Sequence, residues 1–300
     1  MKPATSFASG LILAVLGSIA FSGKAIIVKL AYRHGVDAVT LIMYRMLFAL
    51  PFFAVMAWWA SRNKPALSRH DWLGVLGLGF TGYYLASFLD FAGLAYISAS
   101  LERLILYLNP TIVLLLGWLL YQKRMKSSQI WAMVLSYAGI FLVFGHELGF
   151  EGSAGSNTVL GAALVFGSAV SYAMYLSYSG EMVQRLGSLR LVGLATTVAC
   201  LLCMGQFLVL RPLSAMAVAP EVIWLSILNA TLCTALPVLA VMMAIERVGA
   251  SITAQTGMIG PMSTILMGVF LLGEPLNAWV IAGTVLVLSG VYMVSRSRPQ

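Results

Sequence analysis

The sequence predicts an all-α integral membrane protein: ten transmembrane helices arranged as two inverted five-helix repeats. Three observations carry this reading. Of 300 residues, 60% are hydrophobic and 9% charged, against about 25% charged in an ordinary globular domain. The apolar residues run continuously, as in Leu11–Ala20 and Ile112–Leu120, whereas barrel strands alternate. The chain also repeats itself at a spacing of 151 residues. One water-soluble core could not hide this much apolar surface. Hydrocarbon gives a backbone no hydrogen-bond partners, so continuous apolar runs that cross it must be helices.

A crossing needs roughly 20 mostly apolar residues. Such runs lie near 9–30, 39–59, 72–93, 98–120 and 128–145, then near 158–178, 189–210, 221–244, 250–272 and 277–295. Trp58, Trp59, Trp72, Trp118, Trp224 and Trp279 fall near their ends, where an amphipathic ring is favoured. Met1-Lys2 resembles the start of a signal peptide. The first run nevertheless continues through Ser22-Gly23 to Ala25–Val28 without a clear cleavage pattern, which predicts an uncleaved first span.

Loop charge predicts orientation. With the N-terminus cytoplasmic, the loops on that side and the termini carry Lys2, Arg62, Lys64, Arg69, Lys123, Arg124, Lys126, Arg185, Arg190, Arg247, Arg296 and Arg298. Only Arg33 and Arg211 lie opposite, together with the acidic segment around Glu147 and Glu151. Basic residues stay on the cytoplasmic side, so both termini are expected there, in a bacterial inner membrane. The formal charge of +8 is thus used for orientation, and no nucleic-acid partner is expected. Cys200-x-x-Cys203 has redox or metal spacing, but no second pair or nearby histidine supports it. With Cys233 these read as small packing residues. His34, His70 and His146 fall in predicted loops, so neither metal nor cofactor is expected.

The repeat is carried by Ala99-Ser100, Pro110, Gly117, Leu120 and Gly139, which answer Ala250-Ser251, Pro261, Gly268, Leu271 and Gly290. Gly17-Ser18 answers Gly167-Ser168 at an offset of 150. Five helices per repeat is an odd number, so equivalent positions face opposite sides. Gln122-Lys123-Arg124 accordingly answers Gly273-Glu274-Pro275, basic against acidic. The expected units are residues 1–148 and 149–300. Inverted repeats supply two near-equivalent conformations, the basis of alternating access.

At these residues the chain resembles the ten-helix, EamA-like branch of the drug/metabolite transporter superfamily. The resemblance covers essentially the whole chain. It rests on Lys29, Arg45, Ala99-Ser100 with Pro110, Ala250-Ser251, Pro261, Leu272-Gly273-Glu274, Gly139 and Gly290. Two departures stand out: Tyr121-Gln122-Lys123 replaces the family's Leu-Gly-Glu in the first half, and no arginine of the seventh span matches Arg45. The resemblance implies movement of a small metabolite, without fixing which.

A charge within the bilayer costs roughly 2.5–3.5 kcal/mol on insertion scales, so each needs a reason. The candidates are Lys24, Lys29, Arg45, Asp90, Glu102 and Arg103, all in spans 1–4, while spans 6–10 show no clearly buried charge. Four are basic and two acidic, a surplus that would favour a carboxylate- or phosphate-bearing substrate. For Lys29 the alternative is snorkelling to the outer interface. Glu102 and Arg103 could form an interfacial salt bridge. Arg45 could pair with Asp90 or Glu102, and either carboxylate could carry a coupled proton. Tyr83, Tyr84, Asn109, Tyr172, Tyr175, Asn229 and Gln255 extend the candidate lining, with helix–helix hydrogen bonding as the alternative. Pro110 and Pro261 are expected as mid-helix bending points on the pathway. Ser18-x-x-x-Ser22 and Gly167-x-x-x-Ser171 read as close-packing faces.

The expected function is a secondary transporter of a small metabolite, amino-acid-like or anionic, working as a monomer or weak homodimer in the lipid bilayer. No phosphate-cradling G-x-x-x-x-G-K-[ST] loop is present, so the chain is not expected to hydrolyse ATP itself. An intramembrane enzyme lacks a Ser–His, His–Glu or paired-Asp constellation. A channel, or a subunit of a larger complex, remains as the other alternative.

Overall fold

The computed structural model describes residues 4–122, 126–151, 155–248, 253, 256–257 and 259–296. Among them the chain is helical, without strands. The ten helices are α1 (Ala4–Tyr32), α2 (Ala38–Ser61), α3 (Arg69–Leu94), α4 (Ala99–Leu106 and Asn109–Tyr121) and α5 (Ser127–Glu151). The second set is α6 (Gly155–Leu186), α7 (Ser188–Leu210), α8 (Pro220–Ala230 continuing to Val248), α9 (Ile259–Leu272) and α10 (Ala278–Arg296). The first eight are long and apolar enough to cross a membrane, and α9 and α10 are shorter apolar helices. Lys123, Arg124, Ala250, Ser251 and Gln255 lie outside the described residues.

Several boundaries differ from expectation. α5 runs through Glu151, so His146, Glu147 and Glu151 are helical residues and not part of a loop. No proline interrupts that stretch, and helical hydrogen bonding continues past the apolar run. His70 likewise sits in the first turn of α3 behind the Ser68–Asp71 capping box. α6 extends to Leu186 and stops at Gly187, whose φ of +84° a side chain would resist.

The packing scheme is two-fold. α5 lies along α10 and α2 along α7; α1 packs on α8 and α9, as α6 packs on α3 and α4. Exchanging the first five helices for the last five leaves this scheme unchanged. At the α5–α10 contact a Cβ on Gly139 would stand 2.6 Å from the Gly283 carbonyl oxygen. One on Gly290 would stand 2.5 Å from the Ala132 carbonyl oxygen. Positions 132 and 283 are themselves 151 apart, so one backbone contact is made twice. The small-residue faces act as packing surfaces too: Ser168 and Ser171 donate to the carbonyls of Ala86 and Thr81, each at 2.7 Å.

α3 and α8 each contain a π-helical turn at matching places, Gly79–Leu85 and Thr231–Ala235. Such turns leave irregular backbone and cluster at functional sites. α4 is discontinuous, with a turn at Tyr107–Leu108. Pro110 therefore does not bend a continuous helix; it stands in the first turn of the second segment, where its missing N–H costs nothing. Pro261 has the same place near the start of Ile259–Met267. Four residues earlier, the Gly257 carbonyl receives no N–H from the proline and accepts instead from Gly260 N and the Tyr107 hydroxyl. The broken parts of α4 and α9 thus meet across the repeats.

Contacts between repeats tie both faces of the bundle. On the upper face, bearing the α1–α2 and α9–α10 loops, Arg33 donates to the Leu272 carbonyl at 2.8 Å and Arg211 pairs with Asp37 at 3.1 Å. On the lower face Arg185 pairs with Asp71 at 2.7 Å. Arg190 there is buried and bonds Ser61 Oγ and the Pro65 carbonyl. The expectation of no buried charge in α6–α10 fails at this residue: the end of α2 and the α2–α3 loop each supply its head group with an acceptor.

Candidate functional site

A cavity of about 410 Å³ lies at the centre of the bundle, lined by residues of α1–α4 and α6–α8 together with Gly257. It collects seven of the sequence candidates: Lys24, Arg45, Asp90, Arg103, Asn109, Tyr172 and, from the α3 π-turn, Tyr83. Continuous helices carry Lys24 and Arg45. Asp90 follows the π-turn, and Arg103 and Asn109 flank the break in α4. Irregular backbone at membrane depth is tolerated where it lines a cavity or is buried in protein.

Lys24 organises the acidic side. Its ammonium bonds Asp90 Oδ2 and stands 3.6 Å from Glu102 Oε1. Glu102 is completely buried and forms no ion pair with Arg103, so the interfacial salt bridge is not made. Neither Glu102 oxygen has a hydrogen-bond donor, and Asp90 Oδ1 also lacks one. Two buried carboxylates therefore share one ammonium. Buried charge is tolerated when it is paired and hydrogen-bonded, and this cluster is only half satisfied.

The basic side is free of carboxylates. Arg45, 6% exposed, pairs with neither Asp90 nor Glu102. Its Nε bonds Thr234 Oγ1 at 3.2 Å, its guanidinium lies 5.2 Å from the Phe91 ring centroid, and Nη1 has no partner. Thr234 is itself held by the Asn229 carbonyl at 2.8 Å, so the α8 π-turn positions Arg45. Arg103 bonds Ser22 Oγ at 3.1 Å and lies 5.8 Å from the Tyr107 ring centroid, leaving Nε unpaired. The Asn109 side-chain oxygen is also buried without a donor. Counting the charged cluster, three basic groups face two acidic ones.

Aromatic rings close the α3–α6 wall. Tyr83 and Tyr175 hydroxyls lie 3.3 Å apart, and Tyr172 stacks on Tyr175 with centroids 5.5 Å apart. Tyr83 and Tyr172 line the cavity, whereas Tyr175 is buried behind them. The expectation for Tyr175 is corrected accordingly: packing against Tyr83 and Gly82 takes up its ring. Tyr84 packs among apolar side chains beside Phe80. Asn229 is buried outside the lining. Lys29 belongs to a separate upper vestibule, and Pro261 supports the lining through Gly257 without joining it.

Sequence reasoning missed Tyr107, Ser87, Thr196 and Thr234, which all line the cavity. The repeat held a signal for two of them: at 151 residues, Thr234 answers Tyr83 and Thr196 answers Arg45. Tyr107 had none, because its contact with Gly257 exists only once the repeats interlock.

The chain's relatives agree with this architecture. The sequence profile of the EamA-like transporter family matches twice, over residues 8–145 and 159–296. The uncharacterized transporter YcbK of Bacillus subtilis (strain 168) is 29% identical over 96% of this chain and 91% of its own. WAT1-related protein At1g68170 of Arabidopsis thaliana is 26% identical over 93% of this chain and 87% of its own. One solved protein crystal structure superposes with a TM-score of 0.60 at 17% identity, over 97% of this chain and 100% of that one, a likeness of fold alone. With two matched repeats and transporters among its relatives, the chain belongs to the EamA-like transporter family and is an integral membrane transporter.

Proposed function

We propose that the protein is a secondary transporter of a small carboxylate-bearing metabolite, amino-acid-like or otherwise anionic. It would work by alternating access, with the repeats 1–148 and 149–300 rocking against each other. The observation that carries the substrate class is Arg45: a guanidinium buried at the cavity wall, without a carboxylate partner and with Nη1 unbonded. Such a group recovers its desolvation cost when an anion arrives, and guanidinium geometry suits a carboxylate. Arg103 and Asn109 would hold further oxygens, and Tyr83, Tyr107 and Tyr172 would cover the apolar part. The second repeat supports moving such a load, because the residues it contributes to the cavity wall carry no charge.

The same reading places the lower face and both termini in the cytoplasm of a bacterial cell, following the basic loops. It also gives the acidic pair a task. Asp90 and Glu102, facing Lys24, Arg103, Arg45 and Tyr32, would take up and release one coupled proton.

A metabolite screen with the purified protein tests the substrate class. A ligand of the folded state must raise its thermal stability, and carboxylates are expected among the hits. Counterflow in proteoliposomes then tests transport. Trans-stimulation by the hit is expected, and its loss in Arg45→Ala with Lys24→Ala is the required second result. Flux of a carboxylate that survived both substitutions would end this assignment. Proton coupling predicts that a pH gradient drives uptake in the unaltered protein and fails to do so in Glu102→Gln; equal driving in both would remove it.

A further inference from the structure

The central cavity shares no lining residue with the larger space above it. That vestibule, about 880 Å³, is lined by Lys29, Arg33, Ser98, Ser100, Glu147 and Glu274 among others. Asp90 and Arg103 line the central cavity, while Ser98 and Ser100 line the vestibule. Completely buried Glu102 lies in the same first turn of α4. That turn is therefore one part of the partition between the two spaces, beside α1 between Lys24 and Lys29 and α3 between Asp90 and Leu94.

A residue of the other repeat fastens the partition. Glu274 Oε1 accepts from Ala99 N at 2.7 Å, and Oε2 accepts from Ser100 N at 3.2 Å and Ser100 Oγ at 2.7 Å. The first N–H groups of a helix have no partner within it, and the helix dipole favours a carboxylate there. The α9–α10 loop is shaped to deliver this carboxylate. Gly273 takes φ +74°, and Glu274 N bonds the Gly268 carbonyl at 3.1 Å. A Cβ on Gly268 would come within 2.8 Å of Glu274 Oε2. Arg33 holds the same loop from α1 through the Leu272 carbonyl, and the neighbouring Ser98 hydroxyl bonds Glu147 of α5.

We propose that Glu274 is the latch of the upper gate: it clamps the first turn of α4 across the repeat interface, and its release joins the vestibule to the central cavity as one pathway. This deepens the alternating-access reading and rests on it. The latch is one-sided. Gln122 makes the same left-handed turn as Gly273, at φ +49° and 151 residues earlier, but Lys123 follows it where Glu274 follows Gly273. An ammonium has no lone pair to accept from a helix N-terminus. The fold consequently holds the upper gate by a bond that its pseudo-symmetric counterpart cannot copy, and rests closed on that side.

The test is accessibility of a cysteine placed at Ser87, on the cavity wall, to a membrane-impermeant maleimide. Right-side-out and inside-out membrane vesicles present one face each. The native cysteines are buried and give a slow background. With the latch intact, labelling through the upper face is expected to be slow. Glu274→Ala should raise it by about tenfold or more, as expected for losing a charge-assisted hydrogen bond in an opening equilibrium. The rise should occur in one vesicle type only. Glu274→Gln and Ser100→Ala each weaken the clamp without removing it and should give smaller rises, which keeps the test decisive if Glu274→Ala does not fold. Wild-type labelling rates in the folded variants, from both vesicle types, overturn the latch. Faster labelling in a protein that shows no counterflow would keep the gate and reject the transport reading.

Discussion

The two repeats share a scaffold and differ in what they place at its centre. Lys24, Arg45, Asp90, Glu102 and Arg103 come from the first. At the matching positions, 150 residues on for Lys24 and 151 for the rest, the second has Met174, Thr196, Val241, Thr253 and Ala254. The paired glycine contacts of α5 and α10, the paired π-turns and the helix breaks at Tyr107–Leu108 and Gly257 recur in both halves. The difference separates two demands. Under the proposed alternating access, a frame taking two arrangements related by a pseudo-two-fold axis needs matching close contacts in each half. A site needs no such match, since one set of charges can serve both arrangements if it sits near the axis. The second repeat contributes acceptors and braces, such as Thr234 behind Arg45 and Gly260 behind Ser22.

The largest test of that division is at Arg45. Arg45→Ala should abolish carboxylate flux while leaving the protein folded, and Thr196→Ala, at the matching place in the second repeat, should leave most of it; initial uptake rates decide. Equal losses would mean that the site is as symmetric as the frame. Next, Asp90→Asn should destabilise the fold by roughly 3–5 kcal/mol, because it strips Lys24 of its closest counter-ion in a buried place. The double variant Lys24→Met with Asp90→Asn should recover part of that loss. Thermal unfolding in detergent measures both, and a double variant no better than the single would show that Glu102 alone was balancing Lys24.

The frame should answer symmetrically. Gly139→Ala and Gly290→Ala each force a carbonyl contact apart and should each cost about 1–3 kcal/mol. A clear loss at one site only would mean that the α5–α10 contact is not used equally by both halves. The smallest effect concerns helix caps. Asp37 caps α2 and pairs with Arg211, whereas α7 begins at Gly187 without a side-chain cap. Partial burial pushes the Asp37 carboxyl up, but bonds from Thr40 and Arg211 outweigh it and hold it below its usual range. The stabilisation is therefore present above the unfolded carboxylate value and lost as pH falls through the lowered folded one. Asp37→Asn, which keeps a capping oxygen, should flatten this acid-side loss of melting temperature. Unchanged pH dependence in the variant would show that the Asp37 charge, with its bonds from Thr40 and Arg211 together, contributes nothing.

The reach of the sequence can be judged at particular residues. Continuous apolar runs located all ten helices, because burial in lipid is a property of each segment by itself. The repeat was legible because glycine and proline have few substitutes where backbones meet or a hydrogen bond is missing. Extension of α5 past His146 was not legible, since a helix continues beyond the bilayer wherever nothing breaks it. Buried Arg190 looked like a loop charge because its acceptors, Ser61 and Pro65, come from another part of the chain.

The sequence by itself determined that this protein is a ten-helix membrane transporter in two opposed halves, with the charges of its central site in the first. Tertiary structure alone decided which charges pair: Lys24 joins Asp90 and Glu102, and Arg45 is left without a carboxylate. It also decided that Tyr175 backs the wall it was expected to line, and that Glu274 reaches the start of α4. The physical reason is range. Solvent preference and backbone geometry act residue by residue along the chain. Ion pairs and caps act over about 3 Å between residues that only the folded bundle brings together.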